Sequence, residues 1–375
     1  MKNIAVIFGG DSCEHDISII TGVQLLNKAN LPDYNLVPIY IDKKGNWFTG
    51  DELFDLDNYN VGFTNLKSCT IIPTSNTMYL IKKKKLKPLI NIDAAILCLH
   101  GGYGEGGGIS ALLAMAKIPY TACDLTASAM CLDKVAFKYM MQGIDISVVP
   151  SISIMEEEYI LGKAGVCEQL EKLKYPIIIK PAKLGSSIGI EVVNNCDELD
   201  EKIKKAFKFD KKVLVEKYIV IKKEINIAVV EDKGDLIFSK SEEPIRNSNI
   251  LSFDEKYKNN PGGFETIKRI CPADICGDVL DKIKTMATKI YTKLDLFGVV
   301  RFDFILDNDD NLYINEVNTI PGSMANYLFD KELFPYSKLI EILVSNAIHR
   351  SVKEKNYSEI FISDVLSCGV KVLEK

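Results

Sequence analysis

Little in this sequence points to a membrane, a secreted scaffold or a nucleic acid. No apolar run approaches the roughly 18 residues that a membrane span requires. No secretory signal leads the chain, and its ten cysteines are scattered without a metal-ligand array, Cys271 and Cys276 being the nearest pair. Such usage leads us to expect reduced thiols in a cytoplasm. With a net charge of -5 and a pI near 5.5 the surface offers no global attraction for nucleic acid or anionic membrane, although an anionic small molecule could still meet a locally basic site. The one strong charge block, Lys82 to Lys85 followed by Lys87, reads as a solvated turn between strands. Internal repeats, low-complexity segments and a GxxxxGK[ST] phosphate loop are also missing.

What is there is an ordinary globular composition: 375 residues, 47% hydrophobic and 26% charged, enough for two or three domains with substantial cores. Asn3 to Phe8 is an apolar strand ending in Gly9-Gly10, and Ile17 to Leu26 then has helical spacing, an α/β opening. Strands are expected at Leu36–Ile41 and Ala94–Leu99, with a polar surface insertion over residues 50 to 90 between them. A glycine-dense turn from Gly101 to Gly108 precedes a helix over Ile109–Ala116. Gly102, Gly104 and Gly107 fit GxGxxG, and Asp124 lies near the distance of a ribose-binding acid, but Glu105 would sit inside the phosphate turn and repel a pyrophosphate. A long helix from Leu125 to Met141 crosses into a second unit. There the order is strand (Tyr175–Lys180), loop, strand (Ile188–Val193), helix (Asp197–Phe207) and strand (Lys212–Glu216). Strands near Glu224–Val230 and Leu236–Ser239, a helix over Ile275–Lys293 and a closing helix over Leu333–His349 follow. The expected domains are 1–124, 125–211 and 212–375.

The stretch Arg301 to Gly322, RFDFILDNDDNLYINEVNTIPG, organises the rest. Two alternating runs flank the turn-forming Asn308 to Asn311, the pattern of a β-hairpin. If it is symmetric about that tetrad, Asp303 faces Glu316 and Arg301 faces Asn318 on one side, with Phe302 and Phe304 on the other. Two carboxylates about 5 Å apart on adjacent strands repel unless something positive lies between them. Two carboxylates and an amide suit Mg²⁺ or Mn²⁺; the alternative is a solvated face with Arg301 offsetting the acids. A second stretch, Lys180 to Gly189, joins two β-runs by a Gly-Ser loop whose backbone N–H groups could approach phosphate, with Lys180 adding a fixed charge. Asp133-Lys134 and Glu216-Lys217 each set an acid beside a base, as solvated surface pairs also do. The acids after Gly9-Gly10 could cap a helix or bind a substrate ammonium. His100, one of three histidines, ends an apolar strand, where a satisfied structural role is an alternative to a ligand role.

Together these stretches resemble the D-alanine-D-alanine ligases of the ATP-grasp superfamily. The resemblance runs from about residue 3 to 350 through GGDSCEH, LHGGYGE, PYTACDLTASAMCLDK, IIKPAKLGSSIGI, VEKY followed by Glu224, DEKY, CPADI, RFDF and NEVNTIPG, in the family's order. It implies a three-domain ATP-grasp architecture, mixed α/β and α+β, with an N-terminal open α/β (Rossmann-like) domain. It implies that ATP phosphorylates one D-alanine and that the amine of a second attacks the acylphosphate, for peptidoglycan precursors. By the same resemblance Asp303, Glu316 and Asn318 hold two Mg²⁺ (or Mn²⁺) ions, while Lys134, Lys180, Ser187 and Lys256 serve the phosphates. Glu216 and Lys217 meet the adenine and Glu224 the ribose. Arg301 and the N–H of Gly322 stabilise the tetrahedral intermediate; Glu14, Ser186 and Tyr257 orient the first amino acid; His100 and Glu105 line the substrate pocket; a loop near Arg246 to Pro261 closes over the site. A cytoplasmic homodimer acting on small molecules, with no nucleic-acid or membrane partner, is the family's usual form.

Two segments depart from the family pattern. Gly104-Glu105-Gly106-Gly107 and Ser110-Ala111 stand where GEDG and QG are usual. Met324-Ala325-Asn326-Tyr327 replaces a TSHS-like run, so Tyr327 occupies the position of an acceptor-binding serine. The acceptor could therefore be D-serine, D-lactate or another amino acid, and a non-catalytic ATP-binding regulator is the reading from another class.

Overall fold

The computed structural model describes residues 1–245, 268–331, 334–354, 356–357 and 363. Lys256, Tyr257, the expected closing loop, Leu333 and most of the C-terminal tail lie outside them.

The apolar run at the N terminus forms β1 (Lys2–Gly9), and helix α1 (His15–Lys28) returns against it. β1 lies parallel to β2 (Tyr34–Ile41) on one side and to the later β7 (Ala94–Leu97) on the other. Residues 50 to 90 do not form an irregular insertion. Around a one-turn helix α2 (Asn58–Val61), strands β3 (Trp47–Thr49), β4 (Lys67–Ile71), β5 (Thr77–Lys82) and β6 (Lys85–Asn91) extend the same sheet antiparallel, in the order β6-β5-β4-β3-β2-β1-β7. Cys69, Ile71, Met78 and Leu80 alternate inward, a period-2 signal that the surrounding lysines and turn residues dilute. Lys83 and Lys84 make the β5–β6 turn with positive φ, as expected for a solvated turn.

After the glycine-dense turn come α3 (Gly102–Glu105) and α4 (Gly108–Met115). The expected long helix is broken into α5 (Leu125–Leu132) and α6 (Lys134–Gly143). Asp133, with φ -83° and ψ 103°, leaves the helical region and its carboxylate accepts from the backbone N–H groups of Val135 and Ala136, restarting the helix as an N-cap. Asp124 caps α5 in the same way, accepting from Ala127 N–H at 2.7 Å, which accounts for it without a ribose.

The middle of the chain builds a four-stranded antiparallel sheet from β8 (Ser151–Met155), β9 (Ile177–Pro181), β10 (Glu191–Val193) and β11 (Lys212–Lys217), in the order β10-β9-β11-β8. It is covered by α7 (Glu156–Glu171) and α8 (Cys196–Phe207) around Ile177, Ile179, Val213 and Val215. β8 and α7 were not expected from the sequence; α7 kinks at Gly162 and has no continuous apolar stripe. β11 pairs with β8 and β9, so residues 212–217 belong to this sheet.

The third sheet has the order β13-β12-β16-β17, all antiparallel, from β12 (Ile221–Asp232), β13 (Asp235–Phe238), β16 (Val300–Asp307) and β17 (Leu312–Asn318). Between its halves lie a short pair, β14 (Glu243–Pro244) and β15 (Arg269–Ile270), and helix α9 (Gly277–Lys293). Phe302, Phe304, Ile314 and Val317 bury one hairpin face against Phe137 and Met141 of α6 and Ile283, Ala287 and Ile290 of α9. The last helix, α10 (Tyr336–Glu354), packs Leu339, Leu343 and Val344 into the core of the first sheet, as do Ile320, Met324 and Leu328. The chain leaving the metal-type hairpin is thereby pinned between the first and third sheets.

Candidate active site

The hairpin register is the one the sequence implies: Arg301 pairs with Asn318 and Asp303 with Glu316. The symmetry ends there, because Phe304 pairs with Ile314, which makes Asn315 the extra residue of a bulge. The bulge lets Asn315 reach Lys180, whose Nζ donates to Asn315 Oδ1 at 3.4 Å. Asp303 is clamped by Arg301, Nε to Oδ1 and Nη2 to Oδ2 each at 2.7 Å, and accepts from Asn318 Nδ2 at 3.0 Å. Burial drives the Asp303 carboxyl above its ordinary range, Arg301 pulls it back, and Glu316 and Glu242 push it further up. Thus the guanidinium offsets one acid, as the surface alternative foresees, but on a face that is nearly closed to solvent rather than solvated.

Two carboxylates and an amide opposed in this way fit a hard divalent cation as a partial donor set. Among the described residues no group of three His, Cys, Asp or Glu side chains is placed to hold a metal by itself. The remaining ligands of a cation on Asp303, Glu316 and Asn318 would have to be phosphate and water oxygens, the usual situation for Mg²⁺ beside a nucleotide.

One cavity collects half of the expected residues, Glu14, His100, Glu105, Lys134, Ser186, Arg301, Glu316, Asn318 and Gly322, together with Ile17, Cys131, Phe137 and Val317, while Asp303, Lys180, Ser187, Glu216, Lys217 and Glu224 are not among its lining residues. Glu14 reaches it from the turn before α1 and accepts a hydrogen bond from Ser186 Oγ in the β9–β10 loop, tying the first sheet's turn to the loop over the cavity. Gly185 and Gly101 leave the Glu14 carboxylate room for that contact. A Cβ at Gly185 would lie 2.7 and 2.9 Å from the Glu14 oxygens, and one at Gly101, where φ is +65°, would lie 2.8 Å from Oε2. Ser186 and Ser187 both have positive φ in this loop.

His100 is buried, with Nε2 2.9 Å from Thr21 Oγ1. Burial lowers its pKa to about 4, with a backbone bond at Ile320 opposing and Arg301 assisting, so it is neutral at pH 7. Glu105 accepts from Gly101 N–H at 2.8 Å. Desolvation raises its carboxyl to about 8, Glu14 and Glu316 adding repulsion, which keeps it protonated at neutral pH.

Lys134 donates from Nζ to Leu184 O at 2.5 Å, under the phosphate-type loop. Lys180 lies 2.5 Å from Glu216 Oε2. Glu216 is buried, not a surface partner of Lys217, which is exposed on the opposite face of β11. Glu224 on β12 pairs with Ile305, half-buried on the same sheet as the metal-type hairpin. Tyr327 is not among the cavity's lining residues. Its hydroxyl meets Arg301 Nη1 at 3.4 Å and its ring lies 4.1 Å beneath the Arg269 guanidinium. It thus backs Arg301 from outside the cavity, and burial with the nearby Glu242 raises its pKa to about 12.

Three further groups escaped the sequence reading. Lys138 is buried on Glu216; its spacing of four from Lys134 on α6 puts both on one helix face, a signal that was available. Glu242 binds Arg269 at 3.0 Å and Asn226 Nδ2 at 2.9 Å, and Asn226 faces Asp303 across the strands. Beyond Gly322, Ser323, Met324 and Ala325 have φ of 50°, 52° and 51°, a left-handed turn that non-glycine residues rarely adopt. Ser323 holds it by bonds to Thr21 Oγ1 at 3.1 Å and Gln24 Oε1 at 2.6 Å.

Two small antiparallel sheets facing a cleft, a glycine-serine loop from one and an acidic hairpin from the other, define an ATP-grasp protein. The fold is shared with the solved D-alanine-D-alanine ligase of Coxiella burnetii, at a TM-score of 0.81 and 23% identity over 98% of this chain and 97% of that one. The VanG D-Ala:D-Ser ligase of Enterococcus faecalis superposes at 0.77, with 27% identity over 92% and 99% of the two chains. Family models described as D-ala D-ala ligase N-terminus and C-terminus match residues 3–123 and 140–345. The D-alanine--D-alanine ligase of Thermosipho africanus is 38% identical over 96% of this chain and 97% of its own, and that of Proteus mirabilis 32% over 93% and 96%. The chain belongs to the D-alanine-D-alanine ligase family.

Proposed function

We propose that this protein joins two D-alanines at the expense of ATP, giving D-alanyl-D-alanine, ADP and phosphate for peptidoglycan precursors. The observation that carries the reading is one cavity lined by Glu316 and Asn318 of the hairpin, Arg301, Gly322 and the Glu14–Ser186 pair, in a chain similar throughout to ligases of that name. A carboxylate oxygen of the first D-alanine attacks the γ-phosphorus, the bond to the β-phosphate oxygen breaks and ADP leaves. The neutral amine of the second then attacks the acyl carbon, and phosphate departs from the tetrahedral intermediate.

Each step builds charge on oxygen, so the residues serve electrostatics rather than covalent catalysis. Lys134, Lys180, Ser187 and Lys256 bind the phosphates, Glu216 and Lys217 border the adenine and Glu224 the ribose. Mg²⁺ or Mn²⁺, two ions by family resemblance, would supply charge neutralisation between the phosphates from Asp303, Glu316 and Asn318. Arg301, locked by Asp303 and backed by Tyr327, points its charge at the oxyanion without reorganising, and Gly322 N–H adds a second donor. Glu14, Ser186 and Tyr257 orient the first D-alanine, whose ammonium faces Glu105 while neutral His100 borders the same wall. The loop over residues 246–261 shields the acylphosphate from water. A cytoplasmic location and a homodimer accompany this reading through the family resemblance; no described helix is long and apolar enough to cross a membrane.

A second reading, a D-serine or D-lactate acceptor, is favoured by the departure of residues 324–327 from the family pattern and the similarity to the VanG D-Ala:D-Ser ligase. Incubation with ATP, Mg²⁺ and a panel of D- and L-amino and hydroxy acids, with mass detection, separates the two. D-alanyl-D-alanine as the main product supports the first; a mixed product with no D-alanyl-D-alanine replaces it with the second.

A further inference from the structure

Three buried charges lie behind the phosphate-type loop, where one of them has no role in the chemistry above. Glu216 is enclosed at the end of β11. Its Oε2 accepts from Lys180 Nζ at 2.5 Å, and its Oε1 accepts from Lys138 Nζ. Lys138 also donates to Val149 O at 2.6 Å, which fixes the ammonium from the segment that leads into β8. Lys180 in turn reaches Asn315 Oδ1 in the hairpin bulge, next to Glu316. The side chains of Lys138 and Glu216 are each 5% exposed, and that of Lys180 13%.

The charge count matters. A lysine paired to one carboxylate is a neutral unit and draws a phosphate weakly. Two lysines sharing one carboxylate keep a net charge of +1, and here the more exposed of the two lies between the Gly-Ser loop and the acidic hairpin. Burial of an ion pair by itself contributes little net stability, so stability alone gives no reason for a second buried lysine at this place. We propose that Lys138 is a positioning residue for nucleotide binding: it occupies the second oxygen of Glu216, holds that carboxylate, and so keeps the Lys180 ammonium oriented and electrically available to the phosphates. The inference rests on the reading of ATP as substrate.

The test is ADP affinity, measured by calorimetry with Mg²⁺ and no D-alanine, in the full chain. Lys138→Met makes the cluster neutral and is expected to weaken ADP binding roughly ten- to thirtyfold, the order expected for the loss of one unit charge near the phosphates at an effective dielectric near 20. The loss is expected to flatten the salt dependence of binding and to leave the KM for D-alanine within about twofold, whereas a general loosening of the fold would move both substrates. Lys138→Arg keeps the charge and is expected to bind within about threefold of the parent. The decisive variant is Lys138→Met with Glu216→Gln, probed with Mg²⁺-pyrophosphate, which carries no adenine for Glu216 to contact; it removes both charges, restores +1 at Lys180 and is expected to recover most of the pyrophosphate affinity that Lys138→Met alone loses. It also serves if Lys138→Met alone fails to fold, since no carboxylate is then left buried beside a missing partner. Parent-like ADP binding by Lys138→Met, or a double variant that binds pyrophosphate as weakly as the single, overturns the proposal. Absence of ADP binding by the parent protein overturns instead the reading of ATP as substrate, on which the proposal stands.

Discussion

D-alanine should expel a proton when it binds, and Glu105 is the source. In the free protein burial and two neighbouring carboxylates hold this acid at a pKa of about 8. At pH 7 about nine molecules in ten therefore carry the proton, by the usual titration relation. The proposed site brings the substrate ammonium against it, and an opposite charge within about 4–6 Å favours the carboxylate. If the bound pKa returns to about 4.3, its ordinary value, binding releases about 0.9 proton at pH 7, about half a proton at pH 8 and little at pH 9. Calorimetric titration of D-alanine in buffers of different ionisation enthalpy measures this number directly. Glu105→Gln is expected to abolish the release. A parent protein that releases no proton at pH 7, or a Gln variant that releases as much, refutes the assignment. The same group sets a sign for stability. Its folded pKa lies above the unfolded one, so the folded state holds a proton that the unfolded chain gives up, and stability falls as pH rises from about 4.5 to 8. Glu105→Gln should flatten that decline in thermal melts.

Other substitutions test the remaining joints. Gly185→Ala places a Cβ within 2.7 Å of Glu14 and should break the Ser186 contact, a charge-assisted bond worth about 1.5–3 kcal/mol, raising KM for D-alanine by roughly ten- to a hundredfold. Unchanged KM would remove Glu14 from amino-acid binding. Arg301→Lys loses the two-point grip on Asp303 and should lower kcat about 10²- to 10³-fold, with ADP affinity nearly unaltered. Asp133→Ala deletes the α6 N-cap and the 2.5 Å pair with Lys212, so denaturant unfolding should show a loss of about 1–2 kcal/mol.

The legible parts of this protein were those written at short range. The Arg301–Asn318 hairpin announced its register because its turn residues and its apolar and polar faces agree, and Phe302 and Phe304 are buried as that alternation requires. The bulge at Asn315 was invisible, since it answers to a long-range partner, Lys180. Asp133 looked like a residue within a helix because helix periodicity continues across it; only its bonds to Val135 and Ala136 reveal a new start. Glu216 and Lys217 looked like one surface pair, yet the alternation of β11 sends them to opposite faces and buries the acid on Lys138 and Lys180. Tyr327 was read as an acceptor contact from its position after Gly322, while the left-handed turn over residues 323–325 carries its hydroxyl to Arg301. Such a turn has no signature in a sequence without glycine there.

On the proposed function, the Asp303 face supports ATP-driven activation of D-alanine. It is tested most directly by ADP formation at saturating ATP and Mg²⁺, with and without D-alanine, in the parent protein and in Asp303→Asn. In the parent, ADP production is expected to depend on D-alanine and to be matched by equal amounts of dipeptide, and Asp303→Asn is expected to lose nearly all of it. No D-alanine-dependent ADP in the parent, with the same background in the variant, would contradict it and make the protein an ATP-binding regulator.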